Sequence, residues 1–450
     1  MDYTAHVLNH RFSIVVVSAF LCLFVSFKAS AQDKALGLSL ENHVEYRLRL
    51  ESLQNDYRPG AADSSVLFHR LLLQSTLTTG AFFAHLEIQD SRAAGIDSIT
   101  PPSTVNPTDV LQAYVGLEIK NPFNGPSLLN IKLGRMTLDL GSRRLVARNR
   151  YRNTINGFTG ALVQLKKGRL DLKAFALFPV ERRPADPLQD ARQSLALDKE
   201  DIDHIFGGFF LTLPKMSFLQ VELYTFLNHI NNPAFIPNTI LHTTGFRASK
   251  RPETSSLDFE IESVFQWGQS PSFQNDESLG TLAFFTHAIL GYTFDSLSNP
   301  RLEAGIDYAT GDNQSGDDTD NRFNTLFGQP RGDFGPTGIY GAFTRVNVIS
   351  PLVSLQGNLH KELTWKLRTR IFWLADKNDA WIRSLLIDPT GSTGRYIGTQ
   401  PEFQLKWQFS KSAFVEAGGV VLIRGGFAKN ALGGHSENSW MMYNDFGFRF

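Results

Sequence analysis

The chain is nearly free of cysteine. Cys22 is the only one in 450 residues, which excludes a disulfide framework and a cysteine-based metal site. There is no excess of charge either, with 44 Lys and Arg against 44 Asp and Glu. After residue 31 no apolar run approaches the roughly 20 residues that a spanning helix needs. Signatures of catalysis are also missing. There is no G-x-S-x-G elbow, Walker loop, H-E-x-x-H or Rossmann glycine pattern. The 11 histidines are scattered, and His85, which shares the polar parity with Glu87, reads as pore lining. No catalytic residue, cofactor, metal or nucleic-acid partner is therefore expected, and the chain does not read as an enzyme.

The two ends are informative. Arg11, the apolar run from Phe12 to Phe27 and the small residues Ala29 to Ala31 form a secretory leader, with cleavage expected before Gln32. Residues 1–31 are thus read as a signal peptide and residues 32–450 as one domain. The other end is "SWMMYNDFGFRF". Trp440, Met442, Phe446, Phe448 and Phe450 share one parity, while Tyr443, Asp445 and Arg449 share the other, as on a strand with one aromatic face. In water an exposed aromatic terminal strand invites aggregation. This ending resembles the C-terminal signal that bacterial outer-membrane barrels present to their assembly machinery, with Phe450 as the last residue.

Between the ends the recurring pattern is alternation with period 2. In "HVEYRLRLES", Val44, Tyr46, Leu48 and Leu50 alternate with Glu45, Arg47, Arg49 and Glu51. In "LTWKLRTRIFW", Leu363, Trp365, Leu367, Ile371 and Trp373 alternate with Lys366, Arg368 and Arg370. The polar parity is often fully charged, and the apolar parity carries Trp, Tyr and Phe near strand ends, as interfacial girdles do. A mean hydropathy of −0.17 is too low for a helical membrane protein and natural for a wall with one wet face. In lipid, every backbone amide needs a partner within the protein, so a sheet can span only if it closes. The expected fold is all-β: a transmembrane antiparallel barrel of roughly 18 strands, one closed sheet with long extracellular loops. A barrel of that size leaves an aqueous lumen rather than a packed core.

Short turns such as Thr78–Gly80 and Lys166–Gly168 read as periplasmic. Long polar segments, Ala93–Thr108, Glu181–Asp201, Gly311–Thr337 and Lys377–Arg395, read as extracellular or infolded. The segment from Gly311 clusters Asp312, Asp317, Asp318 and Asp320. Calcium favours such oxygen donors, but the spacing is not that of an EF-hand, and a solvated acidic loop is the simpler reading.

One stretch concentrates arginine. "KLGRMTLDLGSRRLVARNRYRNTINGFTG" holds Arg135, Arg143, Arg144, Arg148, Arg150 and Arg152 with Asp139 as its one carboxylate. A guanidinium matches a carboxylate bidentately and stays charged at any relevant pH, and basic rings in a pore select anions. Arg47, Arg49, Arg368 and Arg370, on the polar parity of strands, are assigned to the lumen, and so is Arg135. For the arginines from 143 to 152, an infolded position, a place at the mouth and contact with lipopolysaccharide phosphates all remain open. Glu45, Glu51 and Asp139 are the carboxylates expected to hold these guanidiniums in place.

Three blocks resemble the alginate export family of outer-membrane proteins. The first is Leu133 to Leu165, with Gly134-Arg135, Gly141, Arg144-Leu145, Asn153 and Phe158 to Gly160. The second is "GIDYATGDNQSGDDTDNRFNTLFG", and the third is "YIGTQPEFQLKWQF" with "VEAGGVVLIRGGFAKN". The resemblance implies a monomeric 18-stranded barrel whose basic constriction passes an anionic polysaccharide or oligosaccharide, alginate-like, by passive diffusion. It also implies residence in the Gram-negative outer membrane among lipid and lipopolysaccharide, with periplasmic export partners. A pore of the same architecture for other small anionic or organic solutes, and a barrel with no transport role, are the alternatives.

Overall fold

The computed structural model describes residues 31–33, 37–95, 104–123, 125–183, 193–213, 218–231, 238–271, 278–314 and 316–450. The expected leader, Ala31 apart, lies outside the described residues. The wall begins with β1 (Leu38–Gln54), β2 (Ser64–Thr79), β3 (Phe82–Ala94), β4 (Asn106–Lys120), β5 (Ser127–Met136) and β6 (Phe158–Lys167). It continues with β7 (Leu170–Glu181), β8 (His204–Thr212), β9 (Gln220–Ile230), β10 (Thr239–Lys250), β11 (Ser256–Pro271) and β12 (Ser278–Thr293). The last third is β13 (Arg301–Ala309), β14 (Val348–His360), β15 (Leu363–Trp373), β16 (Tyr396–Ser410), β17 (Ala413–Arg424) and β18 (Ser439–Arg449). Each strand pairs antiparallel with the next, and β18 returns to β1 through pairs such as Glu45↔Arg449 and Gln54↔Trp440. The sheet is therefore a closed barrel of 18 strands. Two short pieces add to it: Ala31–Asp33 on the start of β1 and Lys199–Glu200 on the end of β7. Among the described residues no helix is long and apolar enough to cross a membrane.

Alternation sets the two faces. On β1, Arg49 and Glu51 are buried inside while Leu50 is exposed on the outside. On β18, Tyr443 is 1% exposed and Met442 60%, so the aromatic and apolar parity faces outward and the polar one inward, as expected. The connections at one end are short. At the other end lie the long segments, including residues 137–157 between β5 and β6 and residues 310–347 between β13 and β14.

One expectation needs correction. The lumen is not simply aqueous: toward the loop end it holds a packed core. Leu138, Leu140, Leu145 and Val146 from segment 137–157 and Phe323, Phe334, Tyr340 and Phe343 from segment 310–347 are all buried there. They pack with the wall residues Phe158, Phe206, Phe285 and Phe372. Both segments fold inward because they are amphipathic, with alternating apolar side chains that only the barrel interior can remove from water. They also pair with each other. The Phe327 amide donates to the Leu145 carbonyl at 2.9 Å, and the Gln329 amide to that of Arg143 at 3.0 Å. A four-residue helix, α1 (Arg331–Phe334), lies at the centre of the longer segment.

Candidate pore site

Buried backbone carbonyls need donors, and the wall arginines supply them. Arg47 donates to the carbonyls of Arg150 and Tyr151 at 2.5 and 2.6 Å, and Arg49 donates to that of Tyr151. Arg70 on β2 donates to the carbonyls of Arg150 and Arg152, both at 2.9 Å. These guanidiniums thus hold segment 137–157 rather than facing open water. Carboxylates balance them: Glu51 lies 2.7 Å from Arg49, Glu45 3.0 Å from Arg70, and Asp445 3.5 Å from Arg47. The Tyr151 ring sits between Arg49 and Arg331, with guanidinium carbons 4.1 and 4.5 Å from its centroid.

The loop arginines are tied in the same way. Arg148 grips Glu87 at 2.5 and 2.9 Å and reaches Thr137 at 2.9 Å. Arg144 contacts Glu260, Glu262 at 2.7 Å and Asp333 at 3.0 Å. Burial alone would lower the Arg144 pKa, but the three carboxylates raise it well above its ordinary value. Arg345 also pairs with Asp333, and Arg331 reaches Glu402 at 2.8 Å and the Tyr443 hydroxyl at 2.6 Å. On the wall Arg368 takes Glu402 at 3.0 Å, and Arg370 takes Asp307 at 2.7 Å.

Arg47, Arg49, Arg368 and Arg370 lie inside, on the polar parity of their strands, and Arg144 and Arg148, whose place was open, lie inside with the infolded segment; the charge of all six is matched by carboxylates. Arg135 differs from its expectation. Its register, opposite Ala113 and in line with the exposed Leu133, is that of the outer parity of β5. Its guanidinium meets Glu200 at 2.7 Å and the Val110 carbonyl at 2.9 Å. The apolar parity beside it, Met136, Leu138 and Leu140, is buried in the inner core rather than facing lipid, so a count that puts the apolar residues outside misplaces Arg135. Asp139 is exposed and caps the Arg148 backbone amide at 2.7 Å instead of holding a guanidinium. Arg143 and Arg150 are exposed, and Arg150 is 3.7 Å from Glu45.

Arg152 stands apart. Its one side-chain hydrogen bond among the described residues is a long one, 3.5 Å, to Asn156. Burial, with Arg182 and Arg383 nearby, pushes its pKa down to about 9. A guanidinium stays protonated in proteins, so Arg152 carries a positive charge with no carboxylate partner among the described residues. Arg152, Asn156, Phe158, Arg182 and Phe327 line a cleft of about 360 Å³ at the loop end of β6 and β7. Arg182 is 3.3 Å from Asp198, and Glu181 on the rim is 2.8 Å from Arg183.

Sequence reading missed Arg70, Arg182, Arg331, Asp333 and Arg345, and read Glu87 as pore lining without its partner Arg148. Arg70 has apolar inward neighbours, Phe68 and Leu72, so no alternation marks it. The others act through contacts between distant segments. No group of three or more acidic or histidine side chains placed to hold a metal ion occurs among the described residues. In the acidic segment Arg322 occupies the middle, 2.6 Å from Asp379 and 3.6 Å from Asp320.

The alginate export family model matches residues 39–442, nearly the whole chain. The chain belongs to the alginate export family. No curated protein matches this family member in sequence. Its fold is similar to that of OccAB1 of Acinetobacter baumannii, with a TM-score of 0.58 at 13% identity, over 94% of this chain and 99% of that one. It is also similar to OccK2 (OpdF) of Pseudomonas aeruginosa, with a TM-score of 0.57 at 10% identity, over 91% and 97%. The same OccK2 solved in complex with glucuronate matches at 0.56 and 11%, over 91% and 98%. Family and fold together support an outer-membrane pore, point to a channel rather than an enzyme, and suggest an outer-membrane location.

Proposed function

We propose that this alginate export family member passes acidic saccharides across the outer membrane by passive diffusion, capturing their carboxylates in the Arg152 cleft. The observation that carries this is the guanidinium of Arg152, which has no carboxylate partner among the described residues, while the neighbouring Arg182 has Asp198. A sugar carboxylate supplies the missing counter-charge, and Asn156 beside it can hydrogen-bond hydroxyls. A structural relative has been solved with glucuronate, a sugar of this class. The packed segments 137–157 and 310–347 narrow the loop end, which favours uronic acids and short oligomers over a thick polymer. On this reading the long loops face outward, both termini are periplasmic, the barrel works as a monomer, and Phe450 addresses the assembly machinery.

In planar bilayers the purified protein should be anion-selective, and glucuronate or oligouronate should block the current. Arg152→Gln should weaken that block about fivefold, the scale of one charge-assisted contact near a surface. Cation selectivity, or the absence of conductance, would overturn the proposal.

A further inference from the structure

The arginines of the lumen are nearly all matched by carboxylates at both ends, with Arg247 on Glu222 and Glu260 and Arg301 on Asp258 toward the short turns as well. Three lysines toward the short-turn end are held differently. Lys132, six residues into β5, lies with Nζ 4.8 Å from the centroid of the Tyr114 ring. Lys406, near the end of β16, lies 4.5 Å from that of Phe414. Lys366 is fourth in β15 and is flanked in register by Gln356 and Gln404. All three are half-buried on the inward parity, and none forms an ion pair among the described residues.

The rings are built into the wall for this position. Phe414 lies across Gly447, where a Cβ would come 2.1 Å from the ring. Tyr114 is stacked on His85 at 5.0 Å between centroids. An aromatic face attracts an ammonium through its quadrupole, yet it carries no net charge. The ring therefore positions the lysine without cancelling its field, whereas a carboxylate partner would do both. Glu416, opposite Lys406 in register, is engaged by Arg331 and the Tyr443 hydroxyl. The inward carboxylates Glu41 and Glu118, with no ion pair among the described residues, lie nearer the short-turn rim.

Resting on the reading of the chain as an anion pore, we infer that Lys132, Lys366 and Lys406 set its charge selectivity, and that the arginine cluster does not. The arginines are consumed in holding the infolded segments. The three lysines keep a charge that no carboxylate cancels among the described residues, and a lone ammonium binds a carboxylate weakly enough to release it. Lys132 on β5 and Lys406 on β16 belong to separate parts of the wall, so the field they set surrounds the passage rather than one side of it.

The mature domain lacks cysteine, which makes the test direct. Lys132→Cys and Lys406→Cys are introduced singly, in the full-length protein with its leader processed, and read in planar bilayers under a KCl gradient. Each should lower the anion-to-cation permeability ratio by about twofold, as loss of one exposed charge would. On the same open channel, an ethylammonium methanethiosulfonate should restore the ratio and the ethylsulfonate reagent should lower it further. The Lys132→Cys/Lys366→Gln/Lys406→Gln variant should lose anion preference altogether. If the wild-type channel is anion-selective and these ratios stay at the wild-type value before and after modification, the inference is overturned while the pore reading stands. If the wild-type channel is cation-selective or silent, both fall.

Discussion

Asp333 is the carboxylate on which the inner packing can best be tested. It sits in α1 between two guanidiniums, Arg144 at 3.0 Å and Arg345, whose side chain is 1% exposed. Burial by itself would raise its pKa, but Arg144 and Arg345 overcome that and hold it well below the usual carboxylate range. Asp333→Asn keeps the shape and removes the charge. Arg144 retains Glu260 and Glu262, while Arg345 is left buried with two carbonyl acceptors, those of Arg144 and Gln329. Breaking one side of a buried pair costs about 3–5 kcal/mol, which shifts the docked-to-released ratio of segment 310–347 by roughly a hundredfold or more. In single-channel recordings the variant should show a larger or more frequent open level. In proteoliposomes trypsin should cut segment 310–347 faster than in wild type. Restoring balance with Asp333→Asn/Arg345→Met should recover much of the docking, because the main penalty is the stranded guanidinium. The pH arm has a definite sign. A carboxylate with a depressed docked pKa contributes fully above its released value, near 4, and loses the contribution only as pH falls through the docked one. In wild type segment 310–347 should therefore stay docked on mild acidification, and the docking of Asp333→Asn should not change with pH in that range. Wild-type conductance and trypsin resistance in Asp333→Asn would refute the latch.

Two further outcomes follow from local geometry. A Cβ at Gly338 would lie 1.8 and 2.0 Å from the Glu51 carboxylate oxygens, which accept the Ile339 amide at 2.7 Å and face Arg49. Gly338→Ala should thus weaken docking of segment 310–347 by about 1–3 kcal/mol, read as faster proteolysis with an intact barrel on heat-modifiability gels; equal protection would contradict this. Deleting Phe450 removes two backbone hydrogen bonds to Val44, at 3.0 and 2.9 Å, that close the seam. The folded fraction on gels should drop, and an unchanged fraction would show that the seam closes without them.

The barrel was legible because its signal is local and repeated. Leu48 and Leu50 against Arg47 and Arg49 already specify one wet face and one dry face, and the turns divide by length along the chain. What alternation could not show was the use of the wet face. That Arg47 and Arg49 are inside follows from parity. That they hold the carbonyls of Arg150 and Tyr151 depends on contacts across about a hundred residues. Segment 137–157 reads as a basic loop by composition, yet its apolar members, Leu138, Leu140, Leu145 and Val146, decide where it goes. Arg135 was misread because the apolar parity beside it, Met136, Leu138 and Leu140, packs into the lumen instead of facing lipid. The lysines were the reverse case, plain on the polar parity but unremarkable until Lys132 and Lys406 were seen to lie on rings and Lys366 between glutamines.

The contact between segments 137–157 and 310–347 also bears on how the barrel is made. Arg144 and Asp333 are 189 residues apart, and the seam joins Arg449 to Glu45 across 404. Closures over such distances are entropically slow. A sheet curling around an already docked pair of segments would be wound on a mandrel, its curvature guided before its edges meet. The inner packing then belongs to the route of assembly as much as to the width of the finished passage, and weakening it would slow biogenesis even in variants whose final barrels are sound.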